Sequence, residues 1–109
     1  MPDLEGCFDG RSFFTELKVG DLGEKPYSPI GVRIKTKQVF WLETRWKAGG
    51  TAYALVRLGS LNALIPGIKA EELLKPKPIQ WFQKHSVVPL DLSATSMWLA
   101  MSRRVEPTI

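Results

Sequence analysis

The dipeptide Asp9-Gly10 constrains the fold of this chain more than any other short feature of its sequence. It separates two runs, residues 4–8 and residues 11–19, and the second run is rich in aromatic and β-branched side chains. An Asp-Gly pair between such runs is typical of a two-residue type I′ turn, which joins two antiparallel strands in a fixed register. The sequence therefore predicts an N-terminal β-hairpin.

The register of this hairpin determines which side chains meet. A two-residue turn places Asp3 directly opposite Glu16, and the Cβ atoms of such partners lie about 4.5–5.5 Å apart. Alternation along the second strand puts Lys18 on the face of Glu16. It puts Phe13 and Leu17 on the other face, which we expect to be buried. The predicted hairpin thus carries two facing carboxylates beside a lysine.

Two carboxylates at this distance need a compensating partner. They share a proton, bind a cation or pair with a base, and oxygen ligands beside a free lysine suit Mg²⁺ or Mn²⁺. Such a metal activates a water molecule and stabilises charge on a phosphate undergoing displacement. Alternatively, the charged side chains of an edge strand are simply solvated. The residues alone leave both interpretations open.

Glycine and proline residues divide the rest of the chain into short elements. A helix is predicted over residues 37–47, with Thr36 as its N-cap and a Gly-Gly stop after it. The apolar run over residues 51–58 predicts a buried strand. The remaining predicted elements are a strand over 61–65 and helices over 69–74, 79–84 and 94–103, the last capped by Ser93. This order predicts the α/β class, with a small mixed β-sheet flanked by helices.

The clearest break in the chain is the KPKP segment at residues 75–78. A length of 109 residues is typical of a single domain. We therefore predict one domain over residues 1–109, in which residues 1–74 form the core. Residues 75–109 form a C-terminal helical extension, as an accessory tail of that core.

Composition excludes several functional classes. The single cysteine, Cys7, rules out a disulfide within the chain, and with only one histidine, His85, a Cys/His zinc site is excluded. We expect Cys7 to be a small buried residue and His85 to be structural or on the surface. No apolar run reaches the roughly 18 residues of a membrane span, and no secretory signal opens the chain. The net charge of +4 permits a polyanionic partner without requiring one.

The acids and the lysine also match a known motif. Pro2-Asp3 on the first strand and Glu16-Leu17-Lys18 on the second resemble the PD-(D/E)XK nuclease motif. The order of a FFTELK strand, a helix with a glutamine and an AGGTAYALVR strand is similar to that of virus-type replication-repair nucleases and of phage or archaeal Holliday-junction resolvases. This resemblance covers roughly residues 2–66.

The resemblance assigns roles to individual residues. It implies that Asp3, Glu16 and the backbone carbonyl of Leu17 bind Mg²⁺ or Mn²⁺, that Lys18 is the catalytic lysine, and that Gln38 points toward the site. It also implies a restriction-endonuclease-like core. The expected activity is metal-dependent hydrolysis of phosphodiester bonds in branched or structured DNA, in the cytoplasm of a bacterium or a phage-infected cell. The small size of the chain, its apolar last helix and the two-fold nature of four-way junctions suggest a homodimer.

The sequence departs from the family pattern in one respect. Related nucleases usually carry a helix with a glutamate before the motif, whereas this chain begins at the motif. That acid is dispensable, or another chain or the C-terminal extension supplies it, or the polypeptide is an incomplete nuclease. The alternative function is therefore a catalytically incomplete nuclease-fold module for DNA binding or assembly. A third interpretation is an unrelated α/β interaction protein whose acids are exposed.

Several basic residues fit a partner that carries phosphates, because Lys and Arg contacts dominate non-specific affinity for DNA. For each of them the alternative is a solvated helix face, or for Arg57 a salt bridge at the rim of the sheet. The four tryptophans are expected to fill cores or interfaces rather than to stack on bases. The predicted DNA-binding residues are Arg33, Lys35, Lys37, Arg45 and Arg57.

Overall fold

A computed structural model of the protein describes residues 3–8, 10–23, 25 and 27–106. This part of the chain forms a mixed β-sheet flanked by helices, so the α/β prediction is confirmed. The elements in chain order are β1 (Leu4–Phe8), β2 (Arg11–Asp21), β3 (Gly31–Val32), α1 (Thr36–Lys47), β4 (Thr51–Leu58), β5 (Leu61–Pro66), a 3-10 helix (Gly67–Leu74), α2 (Ile79–His85) and α3 (Ala94–Met101).

Strands β1 and β2 form the predicted antiparallel hairpin. Leu4 pairs with Thr15 and Phe8 pairs with Arg11, which is the register that a two-residue connection requires. Gly10 has a φ of 76°, a left-handed conformation that glycine adopts without steric cost. Asp9 lies outside the described residues, so the predicted type I′ conformation of the turn lies outside them too.

The sheet is built around β2 and β4. Strand β2 pairs with β4 in parallel, and helix α1 makes the crossover between them. Strand β5 pairs antiparallel with β4, which gives the order β1-β2-β4-β5, and β3 pairs with the end of β2. Strand β4 has the predicted bounds, and β5 continues one residue beyond its prediction, to Pro66.

Both faces of β2 are covered, but at different places. Phe14 contacts Trp41 of α1 edge to face, with ring centroids 5.2 Å apart, and Phe13 contacts Trp98 of α3 in the same way on the opposite face. Leu17 lies beyond the reach of that α3 contact and is 46% exposed. The prediction of a buried Leu17 is therefore wrong, although its alternation with Glu16 holds.

Residues after the KPKP segment contribute side chains to the core. Phe82 of α2 is fully buried in the cluster between the sheet and α1, and Met97 and Met101 of α3 are buried in a second cluster around Phe13. The hydroxyl of Tyr53 donates to the carbonyl of Arg103. These contacts integrate the described part of the C-terminal extension into the same hydrophobic interior.

The connection between α2 and α3 covers the outer edge of β5. The N–H of Asn62 donates to the carbonyl of Leu90 at 2.9 Å, and the N–H of Val87 donates to the carbonyl of Leu64 at 2.9 Å. An edge strand with unpaired backbone groups is a template for association with other chains. Here the protein's own backbone occupies part of that edge.

Local predictions in the second half of the chain differ from the structure in detail. The predicted helix over residues 69–74 is part of a 3-10 helix that begins earlier, at Gly67. Ser93 caps α3 as predicted, because its Oγ accepts from the N–H of Ser96 at 3.2 Å, but the helix ends at Met101. Cys7 was expected to be buried and is exposed, because it lies on edge strand β1.

If the extension is integral to the fold, Phe82→Ala should lower the free energy of unfolding by about 3–5 kcal/mol, since it removes a fully buried ring. The matched control is Gln83→Ala, which changes the exposed neighbour on the same helix and should stay within about 0.5 kcal/mol. Urea unfolding followed by circular dichroism measures both. Equal, small effects would show that α2 is dispensable for the core.

Candidate active site

The hairpin brings the two predicted acids together at the edge of the sheet. The Oδ2 atom of Asp3 accepts a hydrogen bond from the backbone N–H of Leu17 at 2.9 Å. That bond holds the carboxylate of Asp3 beside Glu16, close enough for its charge to raise the pKa of Glu16. The structure therefore places Asp3 and Glu16 as the register predicts.

Glu16 is the buried member of this pair. Its side chain is only 3% exposed, and its Oε1 atom lies 3.5 Å from the Nζ atom of Lys18. Burial raises the pKa of Glu16, and the charge of Asp3 raises it further, while the ammonium of Lys18 opposes both effects. Removal from water disfavours the charged form of a carboxyl group, so this site favours a proton or a cation.

Gln38 of α1 fixes the orientation of Glu16. The Oε1 atom of Gln38 accepts from the backbone N–H of Lys35 at 2.9 Å, which leaves its Nε2 atom to donate to Oε1 of Glu16 at 2.5 Å. The helix begins at Thr36 and its N-cap is Lys35, so the prediction of Thr36 as the cap is wrong by one residue. The side chain of Gln38 turns back onto the helix start, as in one half of a capping box.

The backbone at Leu17 faces the same edge as Asp3. The N–H and C=O of one strand residue point to the same side of the strand. Since the N–H of Leu17 donates to Asp3, its carbonyl also points toward the acid pair. The carbonyl is thus suitably placed for the ligand role that the motif implies.

An open pocket of about 320 Å³ leads to Glu16 from the surface. Its wall is formed by the first turns of α1 and by the residue just before them. Lys35 and Lys37 are exposed at this pocket, so two of the predicted DNA-binding residues lie beside the acids. The lining residues are Glu16, Lys35, Lys37, Gln38 and Trp41.

The other predicted DNA-binding residues are more dispersed. Arg45 lies near the pocket, with its guanidinium carbon 4.6 Å from the ring centroid of Phe14. Arg33 lies 3.8 Å from Asp21 at the far end of β2. Arg57 pairs in register with Val19, on the opposite face of the sheet from Glu16, and its Nε atom donates to the carbonyl of Gly59 at 3.0 Å.

Trp41 lines the pocket, whereas the sequence predicted that all four tryptophans fill cores or interfaces. Residues three and four positions apart lie on one face of a helix, and Gln38, Trp41 and Arg45 follow that spacing. Because the family motif points Gln38 toward the site, the same spacing predicts that Trp41 faces it as well. This signal was present in the sequence.

The donors present are oxygen atoms, which suit a hard divalent cation such as Mg²⁺. Among the described residues, no three or more His, Cys, Asp and Glu side chains form a group that could hold an ion. A metal at this place would therefore bind two carboxylates and complete its coordination with the Leu17 carbonyl and water. Mg²⁺ usually keeps several water ligands, so two carboxylates are compatible with it.

Comparisons with protein-family models, with curated proteins and with solved structures found no match to this chain. Within the described residues, no helix combines the length and the apolar character needed to cross a membrane. The functional interpretation consequently rests on the geometry of the site and on the resemblance of its motif.

The raised pKa of Glu16 predicts a pH-dependent stability. Folding favours the protonated form of the Glu16 side chain. Without metal, the wild type should therefore lose stability as the pH rises through the raised pKa of Glu16 in the folded state. Glu16→Gln mimics the protonated form and should be more stable at neutral pH by about 0.5–2 kcal/mol. The difference should shrink as pH falls below the ordinary pKa of glutamate.

Thermal unfolding in a chelator across a pH series measures this difference, with Glu71→Gln as the matched control at an exposed glutamate. Titrating groups that do not interact with Glu16 act equally on wild type and variant and cancel. A Glu16→Gln variant that is less stable than wild type at neutral pH would show that the ion pair with Lys18 outweighs burial.

Proposed function

We propose that this protein is a metal-dependent DNA endonuclease with a restriction-endonuclease-like, PD-(D/E)XK core. The observation that carries the proposal is the meeting of Asp3 and Glu16 at the sheet edge, with the ammonium of Lys18 3.5 Å from Glu16. The hairpin, the crossover helix with Gln38 and the parallel strand β4 follow the order of the family motif. This agreement supports the nuclease assignment.

In this mechanism Asp3, Glu16 and the Leu17 carbonyl would hold the divalent ion, which would supply Lewis-acid activation of a water and stabilisation of charge on the phosphate. Lys18 is 17% exposed, so its ammonium can reach both the buried carboxylate and a solvent-derived nucleophile. It positions the attacking water or a phosphate oxygen.

Gln38 contributes orientation in the proposed reaction. A ligand carboxylate must be held in one rotamer, and its hydrogen-bonding partners control both its direction and its basicity. The amide of Gln38 is held at both ends, by Lys35 and by Glu16, and it carries no charge that would titrate. It therefore orients Glu16 without adding a third negative charge.

The proposed substrate is DNA, bound through its phosphates. Lys35 and Lys37 at the pocket, with Arg45 further along α1, place positive charge beside the buried Glu16. Such contacts give affinity that falls steeply with salt. The preference for branched or structured DNA and the location in a bacterial or phage-infected cell belong to the proposal through the motif resemblance. The homodimer belongs to it through the small size of the chain, its apolar last helix and the two-fold nature of four-way junctions.

A second candidate is a nuclease-fold module that binds DNA or assembles with other proteins but does not cut. One specific observation favours it. The acid cluster in the described residues has two carboxylates, and Oε1 of Glu16 is already contacted by Gln38 and Lys18. A module of this kind would bind Mg²⁺ and DNA without turnover.

The nuclease proposal predicts that Glu16→Gln and Lys18→Ala abolish strand cleavage. Each change removes a positioned electrostatic group, and such losses typically lower rates about 10²- to 10³-fold. The measurement is single-turnover cleavage of a labelled four-way junction in Mg²⁺ or Mn²⁺, with binding followed in Ca²⁺. DNA binding should survive both changes, and Lys84→Ala on α2 is the exposed-lysine control.

Wild-type protein that binds the junction but never cuts it would favour the second candidate. Full-rate cleavage by Lys18→Ala would contradict the role given to that lysine. Wild-type protein that neither binds nor cuts any DNA would reject both candidates.

Metal binding gives an independent prediction. Divalent metal at a hundredfold excess over its dissociation constant should stabilise the wild type by about 2.7 kcal/mol. Asp3→Asn should lose most of that gain, because it removes a charged ligand, while Lys18→Ala should keep it. Thermal unfolding with and without Mg²⁺ or Mn²⁺ measures the effect. Equal metal-induced shifts in wild type and Asp3→Asn would show that the acids do not form the site.

A further inference from the structure

Trp41 occupies a position in the candidate site that none of the proposed catalytic steps uses. It lies one helical turn after Gln38 and lines the pocket together with Glu16, Lys35 and Lys37. Its ring is held by an edge-to-face contact with Phe14. The pocket thus combines a buried acid, two lysines and a rigid aromatic wall.

The other three tryptophans have different surroundings. Trp46 is buried and contacts Tyr53, and Trp81 packs on Phe82. Trp98 is 45% exposed, but it contacts Phe13 on the face of the sheet opposite Glu16. Packing accounts for these side chains. Trp41 also packs in part against the core between the sheet and α1, but it differs from the other three in lining the pocket that contains Glu16.

Depth limits how a strand can reach the acids. Glu16 is only 3% exposed and lines the same pocket as Trp41, so in the proposed complex a phosphate that reaches Glu16 would bring its own nucleotide beside Trp41. An indole at that place offers a stacking surface to a nucleobase, and aromatic side chains recognise unpaired bases in this way. In a continuous duplex the base is already stacked and paired, and extracting it has a free-energy cost.

We propose that Trp41 stacks on an unpaired nucleobase next to the phosphate that enters the site, so that the protein selects DNA with a locally unpaired nucleotide over continuous duplex. This inference rests on the proposed function and adds the feature by which a substrate is chosen. Lys35 and Lys37 bind the phosphates of the same strand, which gives affinity but no selection between paired and unpaired DNA.

Arg45 completes this surface. Its guanidinium carbon lies 5.3 Å from the ring centroid of Trp41 and 4.6 Å from that of Phe14. A guanidinium held on aromatic rings keeps its charge and its donors directed at a neighbouring phosphate. Arg45 lies seven residues beyond Gln38, a rise of about 10 Å along the helix at 1.5 Å per residue. The strand therefore follows α1 from Lys37 toward Arg45.

The test compares binding of two DNAs of the same sequence in Ca²⁺, one a continuous duplex and one with a single unpaired 2-aminopurine, whose fluorescence is quenched by stacking. Wild type should quench the probe and bind the unpaired DNA more tightly. Trp41→Leu should lose the quenching and about 5- to 150-fold of the preference for unpaired over duplex DNA. Trp41→Phe should retain most of both.

Trp98→Leu is the matched control, since it makes the same change on the opposite face, and all variants are compared by thermal unfolding. Equal affinity of wild type for the two DNAs, or unchanged quenching in Trp41→Leu, would overturn the inference. Cleavage in Mg²⁺ separates it from the nuclease proposal. If both DNAs are cut at equal rates, the nuclease proposal stands and selection by Trp41 is contradicted. If the unpaired DNA is bound selectively but is not cut, the role of Trp41 is supported and the nuclease proposal is contradicted.

Discussion

The register between β1 and β2 is the constraint on which the rest of the site depends. A shift of one residue in an antiparallel pair moves every side chain of a strand to the opposite face. In the observed register Leu4 pairs with Thr15, and the carboxylate of Asp3 accepts from the N–H of Leu17, the residue next to Glu16. The two-residue connection after Phe8 is therefore the local feature that creates the acid pair.

Helix α1, which makes the crossover between β2 and β4, adds a second constraint, because it also contacts the acid pair. Its packing puts Trp41 on Phe14 and Gln38 on Glu16, one helical turn apart. The same amide that holds Glu16 also satisfies an N–H at the start of the helix. The Gln38 side chain therefore stabilises the start of the helix and also orients Glu16, so a change at one of these places alters the other.

The sequence predicted the elements whose signals are local. The Asp-Gly turn gave the hairpin register, and the glycine-bounded apolar run gave β4 with its bounds. The exposure of Leu17 could not be predicted, because it depends on how far α3 extends over β2. The packing of Phe82 in the core could not be predicted either. A proline-rich break has the same sequence pattern whether the following chain extends into solvent or packs back on the core.

For the site, the types and spacing of residues gave the facing acids and the lysine, while tertiary packing supplied their chemistry. Burial of Glu16 raises its pKa, and no pattern in β2 alone shows that a helix will cover that carboxyl group. The separation of Arg57 from the acids follows from strand alternation, and it was predictable once β4 was paired with β2. Trp41 was identifiable from its spacing to Gln38.

Arg104 connects the described end of the chain to this helix. Its Nη1 atom donates to the carbonyls of Trp46 and Gly50, and its guanidinium stacks 4.0 Å from the ring centroid of Trp46. During synthesis, the last turn of α1 therefore receives these partners only after residue 104 has left the ribosome. The hairpin and α1 emerge much earlier, so the nascent chain carries the acids before the helix that orients them has its final anchor.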